Sequence, residues 1–170
     1  MDRILALDCS TKSTGYACYD DNKNLVYGVI TASSTSLEKR ISIMRDGILD
    51  LIKKYNINKV VLEEVRPDNI NINVTKALTW LQGCIAVALY EFNKKIEIEF
   101  IGPSSWRSKI GIQGYRIKRE EQKKKDIAYA NKHFNLTLGG DQDDEADAIC
   151  ILAAHEIDSN SNSNSDIIYF

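Results

Sequence analysis

Apolar residues fall first into three short runs near the start of the chain. Residues 4–7 are apolar and lead directly into Asp8, and two further runs occupy residues 16–19 and 25–30. Ser and Thr residues with Gly15 separate the first two runs, and a polar segment separates the last two. Short apolar runs bounded by such residues are typical of β-strands joined by turns. The pattern therefore predicts three strands in an antiparallel meander.

Beyond this meander, helical and strand-like patterns alternate. Ser36 is predicted to cap a helix whose apolar residues follow in steps of four and three, namely Leu37, Ile41, Met44, Ile48 and Leu51. Strands are predicted at 60–62 and 96–101, and further helices at 74–92, 121–133 and 144–157. This alternation indicates an α/β fold with a mixed sheet covered on both faces. We expect one domain over residues 1–157, followed by a disordered Ser/Asn-rich tail over residues 158–170.

Composition adds bounds on the class of protein. The 170 residues are 44% hydrophobic and 27% charged, which is ordinary for a soluble domain. We find no uninterrupted run of about 18 apolar residues and expect no membrane span. The cysteines form no CxxC pair, which favours reduced thiols in a cytoplasmic protein over a zinc site or disulfides. They are Cys9, Cys18, Cys84 and Cys150.

The net charge of −2 conceals an uneven distribution. Residues 106–125 hold eight basic side chains and two acidic ones, so this window is +6 and the remainder is −8. A concentrated basic segment is the electrostatic signature of a surface that binds nucleic acid. The charge pattern therefore predicts such a partner although the overall charge does not.

Carboxylates occur where the pattern predicts burial. Asp8 follows the first apolar run, and Glu63 and Glu64 follow the apolar residues 60–62. Asp144 and Asp147 lie three residues apart on the last predicted helix. A carboxylate beside a core costs several kcal/mol unless it is paired or bound to a metal. Oxygen ligands without clustered His or Cys suit Mg²⁺ or Mn²⁺. Together with the basic segment, the acids indicate metal-assisted cleavage of a nucleic-acid backbone.

Each acid also has an ordinary structural interpretation. Asp8 could cap the turn that follows it. Asp143 and Glu145 could stabilise the last helix through its dipole, which favours acids in the first turn. One residue of the Glu63–Glu64 pair is expected to face solvent. The residues alone therefore leave open Glu63 against Glu64, and Asp143 against Asp144.

Five segments of the chain carry a resemblance to a known family. Asp8 precedes Thr14-Gly15-Tyr16, Glu63 stands in Leu-Glu-Glu-Val, and Asp144 and Asp147 stand in Asp-Glu-Ala-Asp-Ala. Leu81-Gln82-Gly83 and the basic, Gly-containing residues 111–118 are the other two segments. In this order they resemble the RuvC-type Holliday junction resolvases of the RNase H-like superfamily, over nearly all of residues 4–155.

The resemblance implies a fold and an activity. The fold would be a five-stranded mixed sheet, with three antiparallel strands and then parallel ones, flanked by helices on both faces. The activity would be that of a crossover junction endodeoxyribonuclease that resolves Holliday junctions by paired symmetric nicks, leaving 5′-phosphate and 3′-hydroxyl ends. Two Mg²⁺ or Mn²⁺ ions would be held by the catalytic residues Asp8, Glu63, Asp144 and Asp147.

The resemblance also implies partners. A four-way junction would bind a homodimer, and no small-molecule cofactor or membrane is expected. Predicted helix 74–92 is the candidate dimer interface, because it is apolar around much of its girth. The residues expected to contact DNA are Lys109, Arg116, Lys118, Arg119, Arg66 and Tyr115.

Two departures from the family pattern bear on substrate choice. Cys9-Ser10 follows Asp8 where the family has Pro-Gly, and Arg66 stands where bacterial members carry an aromatic residue. The composition, with abundant Asn, Ile and Lys, resembles that of a phage or low-G+C bacterial relative of the family. Some such relatives cut a broader range of branched DNA. The alternatives are a broad-range debranching enzyme, a nuclease on RNA–DNA hybrids, a non-catalytic DNA-binding relative, and a sugar-kinase or actin-like ATPase lobe.

Overall fold

A computed structural model describes the backbone of residues 2–65, 71–114 and 117–163, and the side chains of these residues as far as 157. Its five strands are β1 (Ile4–Asp8), β2 (Ser13–Tyr19), β3 (Leu25–Thr31), β4 (Lys59–Glu63) and β5 (Glu97–Ile101). Its helices are α1 (Leu37–Tyr55), α2 (Ile72–Phe92), α3 (Pro103–Lys109), α4 (Arg119–Phe134) and α5 (Asp143–Ser163).

The strands form one sheet in the order β3-β2-β1-β4-β5. β1 and β2, and β2 and β3, pair antiparallel, whereas β4 runs parallel to both β1 and β5. Three antiparallel strands followed by parallel ones, with helices on both faces, confirm the predicted fold class.

Alternate residues of the strands pack into two separate cores. Leu5 and Leu7 of β1 lie in the core that α1 and α2 cover, whereas Ala6 between them lies in the core that α3, α4 and α5 cover. In β4, Val61 likewise belongs to the second of these cores. Side chains two residues apart point to the same face of a sheet. The period of two therefore directs the residue at each strand end, Asp8 and Glu63, toward α5.

Local signals in the sequence explain several helix ends. The Ser36 hydroxyl accepts a hydrogen bond from the Lys39 amide, which confirms its predicted role as the cap of α1. α1 ends at Asn56, which adopts the left-handed conformation that Asn tolerates. α5 continues as far as Ser163, so residues 158–163 are helical where the sequence predicted the start of a disordered tail. Residues 164–170 of that predicted tail lie outside the described part of the chain.

Gly15 departs from its predicted position in a turn. It lies inside β2, directly opposite Asp8, and the turn between β1 and β2 ends before Ser13. The Thr14 hydroxyl explains this difference, because it donates to the Ser10 carbonyl at 2.6 Å and so closes the turn earlier in the chain. The hydroxyl-rich segment is therefore divided between a short turn and the start of a strand.

α2 is the most apolar helix on the surface. By length and composition alone it could cross a membrane, although Leu81, Ile85 and Leu89 are buried against the rest of the protein. Other large apolar side chains of α2 face outward, among them Trp80 and Val87. The helix therefore joins a core-facing side to an exposed apolar side.

Candidate active site

Asp8 and Glu63 lie side by side at the carboxyl ends of two neighbouring strands. Leu7 of β1 pairs with Leu62 of β4 in parallel register, so the next residue on each strand is one of these acids. Both acids are only partly exposed, whereas Glu64 is exposed. The structure therefore brings Glu63, and not Glu64, next to Asp8 on the α5 side of the sheet.

Gly15 allows the start of α5 to approach this pair. It is opposite Asp8 in the register of β1 and β2. A Cβ atom added at Gly15 would fall far inside van der Waals distance of the Asp144 backbone carbonyl. The absence of a side chain at this position lets the first turn of α5 rest on β2 beside Asp8.

The acids of the first turn of α5 have different partners. Asp143 forms an ion pair with Lys123 of α4. Asp144, the next residue, interacts electrostatically with Asp8. Asp147, one turn further along the helix, also interacts with Asp8 and is buried. Asp144 and Asp147 are therefore the two α5 acids that face the strand-end pair, and Asp143 is neutralised elsewhere.

Burial and like charge both act on Asp8. Burial first, and then the negative charges of Glu63 and Asp144, raise the pKa of its carboxyl from 3.8 to about 7. The positive charges of Arg107 and Lys123 oppose this rise. At neutral pH Asp8 is therefore poised between its protonated and ionised forms, which is typical of a functional carboxylate.

Asp147 experiences the same effects more strongly. Burial raises the pKa of its carboxyl to about 9, with the charges of Asp8 and Asp126 as further causes and Arg107 in opposition. Its Oδ1 atom is buried and has no hydrogen-bond partner among the residues that the structure describes. A buried carboxylate oxygen without a partner is costly and indicates a missing cation or donor.

Three residues that the sequence analysis did not assign to the site surround these acids. The Trp106 indole Nε1 donates a 2.7 Å hydrogen bond to Glu63 Oε2. The Arg107 guanidinium makes a forked ion pair with Asp126, through Nε and Nη2 at 3.1 and 2.8 Å from Oδ2. Its Nη2 also lies 3.5 Å from Asp147 Oδ2. Asp126 is completely buried in α4, although it lies in a run of charged residues that gives no sign of burial in the sequence.

Gln82 supports Glu63 from the opposite face of the sheet. Its side-chain Nε2 donates to the Glu63 backbone carbonyl at 2.7 Å. This residue stands in the Leu-Gln-Gly segment that contributed to the resemblance. The contact therefore assigns that segment a physical role, because it fixes the end of β4 that carries Glu63.

The structure describes only three of the six residues predicted to contact DNA. Lys109 at the end of α3, and Lys118 and Arg119 at the start of α4, are exposed on the α3–α4 side of the molecule. Arg66, Tyr115 and Arg116 lie outside the described residues. The roles of all six in DNA binding stay predictions.

The ligand atoms of the acid cluster suit a divalent cation, but their positions do not yet form a complete coordination shell. Four carboxylates supply only hard oxygen ligands, which Mg²⁺ and Mn²⁺ prefer. Raised pKa values and the unpartnered Asp147 oxygen show that the cluster lacks positive charge. Within the described residues, however, no three acidic, His or Cys side chains already have the spacing of a metal cage.

Comparisons with known proteins identify relatives that align with nearly the whole chain. The chain is 29% identical over 161 residues to a crossover junction endodeoxyribonuclease RuvC of Fusobacterium nucleatum, covering 90% of this chain and 79% of the relative. It is 27% identical to the RuvC of Dictyoglomus thermophilum, covering 89% and 94% of the two chains.

A solved structure has the same fold. RuvC of T. thermophilus in complex with a Holliday junction substrate superimposes with a TM-score of 0.73 at 13% identity, covering 94% of this chain and 96% of that one. The resemblance to RuvC-type resolvases predicted from the sequence is thereby confirmed. Residues 1–157 match the profile of a family described as Lactococcus phage M3 protein, DUF3882, and the chain belongs to that family.

Proposed function

We propose that this protein is a metal-dependent endonuclease that resolves Holliday junctions. The observation that carries the proposal is the meeting of four carboxylates from β1, β4 and α5 at one end of the sheet, with two of their pKa values raised. Relatives named RuvC that align over about nine-tenths of this chain support the same activity. The products would be symmetric nicks with 5′-phosphate and 3′-hydroxyl ends.

Asp8, Glu63, Asp144 and Asp147 are the proposed catalytic residues and metal ligands. Two Mg²⁺ or Mn²⁺ ions bound there would supply Lewis acidity for the attacking water and the leaving 3′ oxygen. Of the protein groups, Asp8 and Glu63 hold the sheet side of the site and the α5 acids hold the other side. The buried surroundings strengthen every charge interaction at the scissile phosphate.

Basic residues at the end of α3 and the start of α4 would bind the DNA backbone. Lys109, Lys118 and Arg119 are exposed, and the sequence places them in the +6 window between residues 106 and 125. Phosphate neutralisation by such side chains releases counterions, so binding should weaken steeply as salt rises. Arg66, Tyr115 and Arg116 are proposed as further contacts on the resemblance alone.

A homodimer is the proposed active form, because paired symmetric nicks need two sites related by a two-fold axis. α2 offers the surface that such a dimer requires. Trp80, Val87 and Tyr90 are 60%, 58% and 59% exposed and follow one another along one face of the helix. Gly83 lies between them with open space around it, which permits close approach of another helix.

Cleavage assays on defined substrates test the activity. The protein should nick a synthetic four-way junction symmetrically in Mg²⁺ or Mn²⁺, and should leave a linear duplex intact. A flap and an RNA–DNA hybrid, assayed in parallel, separate a junction resolvase from a broad debranching enzyme and from a hybrid nuclease. Failure to cut any branched DNA with either ion would refute the proposal.

The variant Asp8→Asn tests the acid cluster itself. It should abolish cleavage and leave junction binding intact, because it removes a charged ligand without removing side-chain volume. Asp50→Asn is the matched control, since Asp50 is an exposed acid on α1 on the other side of the sheet. Loss of both cleavage and binding in Asp8→Asn alone would mean that Asp8 is structural.

The oligomeric state tests α2. Light scattering during gel filtration should give twice the monomer mass for the wild type and the monomer mass for Trp80→Glu. Val29→Glu is the control, because Val29 is an exposed apolar residue on β3. A wild-type monomer, or a Trp80→Glu dimer, would remove α2 as the interface. The proposed setting is the cytoplasm of a bacterial or phage-infected cell, which the free cysteines among the described residues support.

A further inference from the structure

Trp106 has a polar group that the hydrophobic core alone does not explain. Its side chain is 0% exposed and packs in the core between the sheet and α5. A buried indole N–H is a donor only and requires an acceptor. The acceptor here is Glu63 Oε2, at 2.7 Å, one of the four carboxylates of the candidate active site.

The position of Trp106 is itself fixed by its neighbours. The guanidinium carbon of Arg107 lies 4.0 Å from the centre of the Trp106 ring and covers it. That guanidinium is held by its fork to Asp126, which is completely buried in α4 and also accepts a 2.8 Å hydrogen bond from Gln122. Rigid planar contacts of this kind restrict the ring to one orientation.

Helix α2 holds Glu63 from the opposite face of the sheet. Gln82 binds its backbone carbonyl from α2, while Trp106 binds its carboxylate from α3. Backbone and side chain of this one glutamate are thus restrained by residues from opposite faces of the sheet. A residue that only ended a strand would need neither restraint.

We propose that Trp106 is a positioning residue for the metal ligand Glu63, and that Arg107 and Asp126 hold the indole in place for this purpose. This inference rests on the proposed metal-dependent function. Hydrogen-bond partners of metal ligands fix the ligand orientation before the cation arrives, and their loss lowers metal affinity. No direct contact of Trp106 with substrate or cation is implied.

Mn²⁺ affinity, measured from the electron paramagnetic resonance signal of free Mn²⁺, tests the proposal without relying on cleavage. Trp106→Phe keeps an aromatic ring and removes the donor, and it should weaken Mn²⁺ binding by about 10–100-fold. Tyr19→Phe is the matched control, because it removes a donor to a carboxylate, Glu156, on the same sheet face but away from the site. Its Mn²⁺ affinity should equal that of the wild type.

Two further measurements separate positioning from folding. Cleavage by Trp106→Phe should be restored by raising Mn²⁺, because the loss is one of affinity, whereas a disordered site would stay inactive. If Trp106→Phe fails to fold, the ring can be replaced by 3-benzothienylalanine, which has the shape of indole and lacks the N–H. This second substitution, made in a Trp80→Phe background, should give the same loss of Mn²⁺ affinity relative to the Trp80→Phe protein.

The fluorescence of Trp106 reports directly on cation binding next to Glu63. In the Trp80→Phe background Trp106 is the single tryptophan, since the chain has two. Ca²⁺ titration should change its emission in a saturable way, and Asp8→Asn should abolish that change. Wild-type Mn²⁺ affinity in both Trp106 substitutions would overturn the positioning role and leave the metal site standing. No Mn²⁺ binding by the wild type would instead overturn the proposed function on which the inference rests.

Discussion

The two faces of the sheet are built from side chains of different size. On the side of α1 and α2 the strands present large aliphatic residues, including Leu5, Leu7 and Leu62. On the side of α5 the central strands present Ala6 and Ala17. α5 contributes small residues to the same core, namely Ala146, Ala148, Ala153 and Ala154. Where α5 meets β1 and β2, small side chains therefore face small side chains, whereas large ones fill the α1/α2 side of the sheet.

The difference has a chemical consequence. Large side chains remove the most apolar surface from water, so the first face supplies most hydrophobic stabilisation per residue. Small side chains let a helix approach the sheet closely, so the first turn of α5 reaches the ends of β1 and β4. This approach brings Asp144 and Asp147 to Asp8, where their charges repel. The α5 face, which also contains a buried apolar core, therefore accepts repulsion between acids to assemble a site.

Leu5→Ala should give the largest loss of stability among the changes considered. Leu5 is completely buried in the α1/α2 core, and truncation should cost about 2–5 kcal/mol of unfolding free energy through lost burial and a cavity. Urea denaturation measures the cost, with Val29→Ala on β3 as an exposed control. Cleavage per folded molecule should stay at the wild-type rate, and its loss would show that the two faces are not independent.

Gly15→Ala should have a smaller effect on stability and a large one on cleavage. The added methyl group would collide with the Asp144 carbonyl, so the start of α5 must move away from β2. Overpacking of this kind costs about 1–3 kcal/mol. Junction cleavage should fall at least about 100-fold, since a misplacement of about 1 Å can cost that much.

The control for this change is Gly140→Ala, because a Cβ atom there meets open space. It should retain both stability and cleavage. If Gly15→Ala cleaves as fast as the wild type, the close approach of α5 to β2 is not what positions the site.

Much of this arrangement could be predicted because it is local. The period of two in β1 and the steps of four and three in α1 define which side chains enter the core, and Ser36 marks where α1 begins. The acids Asp8 and Glu63 could be expected to meet, since both follow apolar strands whose carboxyl ends share a sheet edge. The pattern of a single segment carries the period, the steps and the cap, whereas the meeting of the two acids also requires that their strands are neighbours.

What could not be predicted depends on contacts between distant segments. Trp106 looks like an ordinary core residue in the sequence, and only the packing of α3 against β4 reveals that its N–H reaches Glu63. Asp126 lies within a run of charged residues, yet it is completely buried because Arg107 neutralises it. Gly15 reads as a turn residue until the register of β1 and β2 places it opposite Asp8. Strand register and helix placement, unlike the period of apolar residues, cannot be predicted from the sequence of any one segment.

Asp8→Asn should raise the stability of the cation-free protein. Burial and neighbouring acids raise the pKa of Asp8 from 3.8 to about 7, so the folded state binds this proton more tightly than the unfolded state. The stabilisation by this proton is therefore complete below about pH 4 and is lost as pH rises through about 7. Removal of the ionisable group should add about 1–2 kcal/mol at pH 8 and little at pH 4.

Thermal melts with EDTA at these two pH values measure the effect. Addition of Mg²⁺ should reverse the order, because a bound cation stabilises the ionised wild type and has one ligand fewer in Asp8→Asn. A variant that is less stable than the wild type in EDTA at pH 8 would contradict the repulsion assigned to the α5 face.

Lys118→Ala should change stability least, by less than about 0.5 kcal/mol, because Lys118 is an exposed residue that precedes α4. Its effect should appear in DNA binding instead. If it contacts one phosphate, the slope of log affinity against log salt should become shallower by about 1. Lys39→Ala, an exposed lysine on α1 behind the opposite face of the sheet, should leave the slope unchanged. Equal slopes for the two variants would mean that DNA does not distinguish the two faces, and that Lys118 is a solvated side chain like Lys39.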